Sequence, residues 1–530
     1  MTEGSRNMRF LPAGQDGLLV ELPDLPAALA LLDALLAARL PGLRDIIPGA
    51  RTVLLRCDPL QVTAAALADQ LCVLRVGQAL ARAGQVFDVP VHYDGEDLAE
   101  VATHLGWSVA ELIGRHTDAL YTVAFTGFAP GFAYMTCDDP DIVVPRRKSP
   151  RVPIPAGSVA LAGEFGGIYP SDSPGGWQLL GRTPLRMWDL ARERPALLAP
   201  GDRVRFRDMA KGATVAVDPA PPTPVTPAGE PALTITRADR PALFQDHGRP
   251  GLAGQGLSQS GAADRASLHA LNRCLGNPRD MAAVEIAFGG FACRADQPVT
   301  VAVSGAPCPL TVSGPKGDWH PPIGRAFAMD AGDELRLGLP ARGVYSYLGL
   351  RGGFGVDPVL GSASCDTLAR LGPLPLQPGD ALVAAHRHAL AVDPLPPAAA
   401  PLPAAGETVT LDIVPGPRDD WFTPQGIDTF LTQLWQVTPE SSRVGKRLQG
   451  DRRIERRDDA ELASEATVPG AIQIPHSGQP VLFLADHPLT GGYPVIAVVA
   501  AHHLDLAAQL PAGAQVRFTP IPASFTRVEP

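Results

Sequence analysis

Apolar residues recur in two different periods along the first 84 positions. Short apolar runs at Gly17–Glu21 and Arg51–Arg56 read as strands, and Leu25–Arg39 and Gln61–Ala83 carry helical spacing. That alternation predicts a small α+β unit over residues 1–84. From Gln85 the chain turns β-rich, opening with QVFDVPVHY. Two Pro/Ala-rich, nearly uncharged stretches, DPAPPTPVTPAGEP at 218–231 and PLPPAAAPLPAAG at 394–406, read as extended spacers. They divide the rest into units at 85–218, 232–393 and 407–530, with linkers at 219–231 and 394–406.

An internal repeat lies across these units. IPAGSVALAG at 154–163, SPGGWQLLG at 173–181 and APGDRVRF at 199–206 match VPGAIQIPHSG at 468–478, LTGGYPVIAVV at 489–499 and LPAGAQVRF at 510–518. Order, spacing and turn chemistry agree. The Gly-centred turn recurs in DAGDELRLG at 330–338 and QPGDALVAA at 377–385, each supplying a positive-φ position and then a period-two strand. The prediction is a mainly β protein with α+β parts: two β-barrel units plus the N-terminal α+β domain.

Composition supports that class. Of 530 residues, 54 are Gly and 56 Pro, without collagen periodicity, which favours short strands and turns over a helical bundle. The formal charge of −10 lacks the basic footprint of a nucleic-acid binder. Seven cysteines form no C-x-x-C pair, so reduced thiols in a cytoplasmic protein are expected. MTEGSRNMRF lacks the apolar core of a signal peptide, and the apolar stretch Leu25–Leu40 contains Pro26 and Asp33, short of a membrane span.

Absent motifs sort the chemistry. There is no Walker-type loop, no Rossmann glycine pattern opening a βαβ unit, no G-x-S-x-G elbow and no amidase serine signature. His386/His388 and His502/His503 lack metal-spaced companions and read as ordinary histidines, so no metal centre is assigned.

Three clusters remain. FTGFAPGFAYM at 125–135, running on to PRRKSPRVPIPAG at 145–157, reads either as an aromatic floor for a flat anionic ligand beside Arg146, Arg147, Lys148 and Arg151, or as a packing loop with solvated arginines. In FQDHGRPGLAGQGLSQSGAADRASLHALNRCLGN at 244–277, a Gly/Ser loop ending at Ser260-Gly261 feeds a helix N-terminus, which offers either an anion site or a simple N-cap. PHSGQP at 475–480, ADHPLTGGYP at 485–494 and VGKRLQG at 444–450 mix polar side chains with turns, in which Asp486 and Thr490 can cap local backbone.

Here a resemblance enters. GFAPGFAYM, PRRKSPRVPIPAGSVALAG, GGIYPSDSPGGWQLLGRTP and PGDRVRF resemble the B subunit of 5-oxoprolinase, also called allophanate hydrolase subunit 1. LFQDHGRPGLAGQGLSQSGAADRASLHALNRCLGNP, with SGA at 304–306, YLGLRGGF at 347–354, GKRLQG, PHSGQP and LTGGYPVIAVV, resembles the C subunit of the same enzyme, or allophanate hydrolase subunit 2. Both halves are similar to the carboxyltransferase domain of urea carboxylase. The departure is Phe244 at the start of FQDHGR, where relatives commonly have Val.

The resemblance implies cyclophilin-like barrels and ATP-dependent opening of 5-oxo-L-proline to L-glutamate, in partnership with a separate A subunit. Implied cofactors are ATP and Mg²⁺, with no covalent biotin on this chain. Arg146, Arg151, Arg182, Arg249 and Arg447 are the candidate clamps for phosphate and carboxylate. Asp246 or Asp264 is the candidate to hold Mg²⁺ or act on water. Gly127, Gly131, Ser260 and Gly261 are candidate backbone donors, joined by His476 and Gln479 from PHSGQP. Two alternatives stay open: a biotin-dependent carboxyltransferase served by separate carrier and carboxylase, and a regulator that inhibits a sensor kinase. Small-molecule binding is expected, nucleic-acid and membrane binding are not, and a homo-oligomer is left open.

Overall fold

The computed structural model describes residues 8–77, 84–147, 151–209, 229–393, 401–458 and 460–523. Lys148, most of the first linker and the start of the second lie outside the described residues.

The N-terminal unit is a four-stranded antiparallel sheet of Arg9–Pro12, Gly17–Glu21, Thr52–Cys57 and Leu43–Pro48 in that spatial order. Helices Leu25–Ala38 and Ala64–Val73 cover one face through Leu31, Leu35, Leu67 and Leu71, which meet Leu18, Val20, Val53 and Leu55. Asp24 starts the first helix by accepting the Ala27 N–H at 2.9 Å, and Pro26 fits because a first-turn N–H needs no helical partner. Sequence patterning locates both helices and the two central strands. It misses the short outer strands, and it overextends the second helix, whose backbone leaves the helical region at Leu74.

The two β-rich repeats form barrels with the same strand order. In the front unit the seven strands are Val86–Val91, Tyr121–Thr126, Ala133–Cys137, Ser158–Ala162, Phe165–Ile168, Gln178–Arg182 and Arg203–Asp208. In the rear unit they are Thr408–Pro415, Trp435–Val437, Gly445–Gln449, Ala471–Gln473, Val481–Phe483, Val495–Val499 and Gln515–Pro520. Both run around the barrel as first, sixth, fourth, fifth, third, second and seventh. In each, the seventh strand pairs with the first in parallel. The rear barrel is closed, and the front one is completed by a bridge between His92 and Arg182.

The Val-Arg-Phe repeat explains the last strand physically. Val204 and Phe206 point into the front core and Val516 and Phe518 into the rear core, while Arg205 and Arg517 face solvent. The glycines of the four matching turns, Gly201, Gly332, Gly379 and Gly513, all have φ between 88° and 98°.

Between the barrels in sequence lies a lobe of two antiparallel sheets, one of six strands and one of five. Its core includes Leu233, Ile235, Phe244, Val284, Ile286, Val301 and Leu348. Helix Arg265–Leu275 packs on this lobe through Leu268, Leu271 and Leu275, which join the core of the rear barrel. Among the described residues, no helix is long and apolar enough to cross a membrane.

Candidate functional site

The seam between the two barrels encloses a cavity of about 300 Å³. The front barrel contributes Phe128, Phe132, Tyr134, Tyr169 and Trp177, and the rear barrel contributes Gln473, His476, Thr490 and Tyr493. The aromatics brace one another at their edges: Phe132 meets Trp177 with centroids 5.2 Å apart, and Tyr134 meets Trp177 at 5.5 Å. Burial pushes the Tyr169 phenol well up, so that wall stays neutral.

The loop FTGFAPGF is held by the opposite barrel. The Phe128 N–H donates to Thr490 Oγ1 at 2.8 Å, and the Tyr134 hydroxyl lies 3.2 Å from the same oxygen. Phe128 has φ 63°, a left-handed conformation that a bulky residue adopts only where its surroundings enforce it. Gly127 makes this approach feasible, because a Cβ there would lie 2.6 Å from Thr490 Oγ1.

Arg146 enters from the front barrel and donates through Nη2 to Ser464 Oγ at 2.9 Å. Among the described residues no carboxylate pairs with it. Gly492, from the rear barrel, leaves room for its guanidinium, since a Cβ there would stand 2.0 Å from Arg146 Nη1. Arg147 and Arg456 add positive charge and Glu461 a single negative one. Arg147 is held by Asp97 at 2.6 Å, and Arg456 donates to the Ile474 carbonyl with its guanidinium 5.9 Å from the Tyr493 ring. His476 presents its ring at right angles to Tyr493, 5.7 Å away. The result is an aromatic pocket with an excess of cations, suited to a small flat anion.

Of the residues singled out from sequence, the structure brings Arg146, Arg147, His476 and Thr490 to this cavity, with Gly127 behind its wall. Gly131, at φ 79°, does not line the cavity and backs onto the Met187 carbonyl, 2.8 Å from where a Cβ would stand. Arg151 donates through Nη1 and Nη2 to Asp97 at 2.9 and 2.7 Å. Burial raises the Asp97 carboxyl, but the Arg151 bonds, the Leu179 N–H and the arginine charges outweigh it and hold it below the usual range. Arg182 is paired with Asp94. Gln479 bonds the backbone of Gly450 at 2.8 Å, and Arg447 is exposed on its strand.

The Gly/Ser cluster forms a second, buried network away from the cavity. Asp246 accepts from the hydroxyls of Ser362 and Ser364 at 2.5 and 2.6 Å and from the amides of Gly248 and Ala363. Arg249 donates to the carbonyls of Val359 and Ser364. Asp264 caps helix Arg265–Leu275 through the Ser267 N–H at 2.9 Å and also accepts from Gln509 Nε2. The helix N-terminus already holds an anion: Asp505 accepts from the amides of Arg265 and Ala266 at 2.9 and 3.2 Å. Ser260 bonds Asp486 at 2.5 Å, and the Gly261 carbonyl accepts from Arg443, which also pairs with Asp486 and Glu285. Asp486 and Thr490 thus bond distant segments, whereas the sequence suggested local caps.

Tyr169, Arg456, Glu461, Ser464 and Gln473 were not identified from sequence. Tyr169 and Gln473 lie within quoted motifs, but nothing in their immediate sequence marks them as cavity residues, and Arg456, Glu461 and Ser464 stand outside any motif. Only the paired glycine in LTGGYP gave a signal, since Gly491 and Gly492 are both pressed by side chains.

The family model for the carboxyltransferase domain, subdomains A and B, matches residues 255–520, and the model for subdomains C and D matches 8–198. The chain is 33% identical over 294 residues to the 5-oxoprolinase C subunit of Escherichia coli (strain K12), covering 54% of this chain and 90% of that protein. It is 38% identical over 209 residues to the 5-oxoprolinase B subunit of Escherichia coli O157:H7, covering 38% of this chain and 95% of that protein. The crystal structure of TTHA0988 superposes with a TM-score of 0.81 at 34% identity, covering 95% of this chain and 99% of that one. The chain therefore belongs to the carboxyltransferase-domain family, with subdomains C and D preceding subdomains A and B.

Proposed function

We propose that the chain is a fused B–C component of an ATP-dependent 5-oxoprolinase that opens 5-oxo-L-proline to L-glutamate together with a separate A subunit. The observation that carries this reading is the cavity itself, because its walls come from both barrels and Arg146 of one bonds Ser464 of the other. A site split this way needs both halves, and the halves are similar to proteins named as two subunits of one enzyme.

In this reading Arg146 takes the substrate carboxylate and the aromatic walls take the ring methylenes. The hydroxyls of Ser464 and Thr490, with Arg456, face the negative charge that develops on the carbonyl oxygen. His476 is the group suited to moving a proton. ATP, when bound in the assembly, would supply the activation that makes the lactam carbonyl oxygen a better leaving group. Asp246 and Asp264 do not fit a Mg²⁺ ligand set, since N–H and O–H donors already engage their oxygens. Mg²⁺ is therefore not assigned to Asp246 or Asp264. All seven cysteines are free, in keeping with a reducing cytoplasm.

The test is glutamate release from 5-oxoproline by the purified chain, with and without the A subunit, ATP and Mg²⁺. Release that requires all of them supports the reading. The family match favours one second reading, biotin-dependent carboxyl transfer, and bicarbonate-dependent carboxylation with no glutamate release would establish it instead.

A further inference from the structure

A second, small cavity lies where the N-terminal unit, the Gly-rich loop 249–259 and the rear barrel meet. It holds about 20 Å³, room for a single water-sized guest. Its wall includes Arg249 and His487, only 2% and 4% exposed. Arg249 Nη1 and His487 Nδ1 are both buried without a hydrogen-bond partner, as is Nε of Arg56 on the same wall.

The charge balance of this wall is unusual. A guanidinium stays charged at any physiological pH, and burying it without a counter-ion is costly. The remaining N–H groups of Arg249 go to carbonyl oxygens, and Asp366, Asp246 and Asp486 act on it only through space. Asp45 is the one acid on the wall, and burial pushes its carboxyl up despite the attraction of Arg56. Arg56 is already paired with Asp16 at 2.8 Å, and burial pushes His487 down to about 4, so the Arg249 guanidinium is the cation left facing an acid that resists ionisation. A water molecule would satisfy donors but neutralise nothing. Phosphate and sulfate are too large for the space.

We propose that this cavity is a monatomic-anion site, in which one chloride sits between Arg249 Nη1 and the Nδ1–H of His487. The ion would complete the junction of three separate segments, so it acts on stability rather than on chemistry. It is independent of the substrate cavity at the barrel seam.

Two measurements on the full chain test it. A crystal grown in bromide should show an anomalous peak in the cavity within hydrogen-bonding distance of Arg249 Nη1. At constant ionic strength, replacing gluconate by chloride should raise the melting temperature by about 1–2 °C for each tenfold rise in chloride. A cavity holding only water in the bromide crystal, or melting curves that coincide in gluconate and chloride, would overturn the proposal.

Discussion

Arg146 and Ser464 are 318 positions apart in sequence, yet Nη2 of one lies 2.9 Å from Oγ of the other. Their bond crosses the seam between the two barrels and fixes, at the edge of an aromatic cavity, a cation that has no carboxylate partner among the described residues. A solvated arginine needs no such arrangement, and a structural one is ordinarily given an acid.

Arg146 and Arg151 should therefore respond oppositely to replacement. Arg146→Ala should lower kcat/KM by a factor corresponding to about 1.5–3 kcal/mol while the melting temperature hardly moves. Arg146→Lys should recover only part of the loss. Arg151→Ala should instead lower stability, because Asp97 is buried and loses two of its charged donors. Paired kinetics and thermal melts on the three variants decide this, and a destabilised Arg146→Ala with normal activity would contradict it.

Gly492→Ala should imitate the loss of Arg146. The added methyl would stand 2.0 Å from Nη1 and displace the guanidinium. Expected are a fall in kcat/KM comparable to that of Arg146→Ala and little further loss when the two are combined. Full activity in Gly492→Ala would show that the position of Arg146 is immaterial.

Arg418 ties the N-terminal unit to the rear barrel. It is 1% exposed, donates to Glu465 through Nε and Nη2 at 2.9 and 2.7 Å, and reaches Glu21 at 2.9 Å. Arg418→Met leaves Glu465 buried beside a second acid and should cost about 3–5 kcal/mol. Adding Glu465→Gln should return part of it. Denaturant unfolding of the single and double variants gives the comparison, and an unchanged midpoint for Arg418→Met would refute the role.

Lys446 should produce a pH-dependent penalty. It is buried in the rear barrel with Nζ 5.8 Å from the Tyr345 ring centroid, and burial pushes its pKa down to about 7. The unfolded chain keeps the ordinary value near 10.4, so between the two the unfolded state binds more protons and stability rises with pH. The penalty is full below pH 7 and relieved as pH climbs toward that of a free lysine. Lys446→Met should thus stabilise the protein at pH 6 by on the order of a few kcal/mol, with the gain shrinking toward pH 10. A variant less stable than wild type at pH 6 would contradict the sign.

What could be read from sequence was what is local. The barrels were legible because a Gly turn followed by Val-Arg-Phe fixes both a backbone conformation and which side chains point inward. The aromatic loop was legible because Gly and Pro alternate with rings too densely for a regular strand. Partners were not legible. Asp97 lies 54 positions before Arg151, and Asp486 lies 226 after Ser260, so arginines and caps that looked available are already engaged. The outer strands Arg9–Pro12 and Leu43–Pro48 lack clear alternation and owe their existence to pairing with the central strands.

The most direct test of a single site shared by both barrels is a double-mutant cycle between Arg146→Ala and Ser464→Ala, read as kcat/KM for glutamate release in the complex with the A subunit. Expected is a loss in each single variant and a coupling energy of about 0.5–3 kcal/mol between them. Wild-type kcat/KM in both single variants would contradict a catalytic site at the barrel seam.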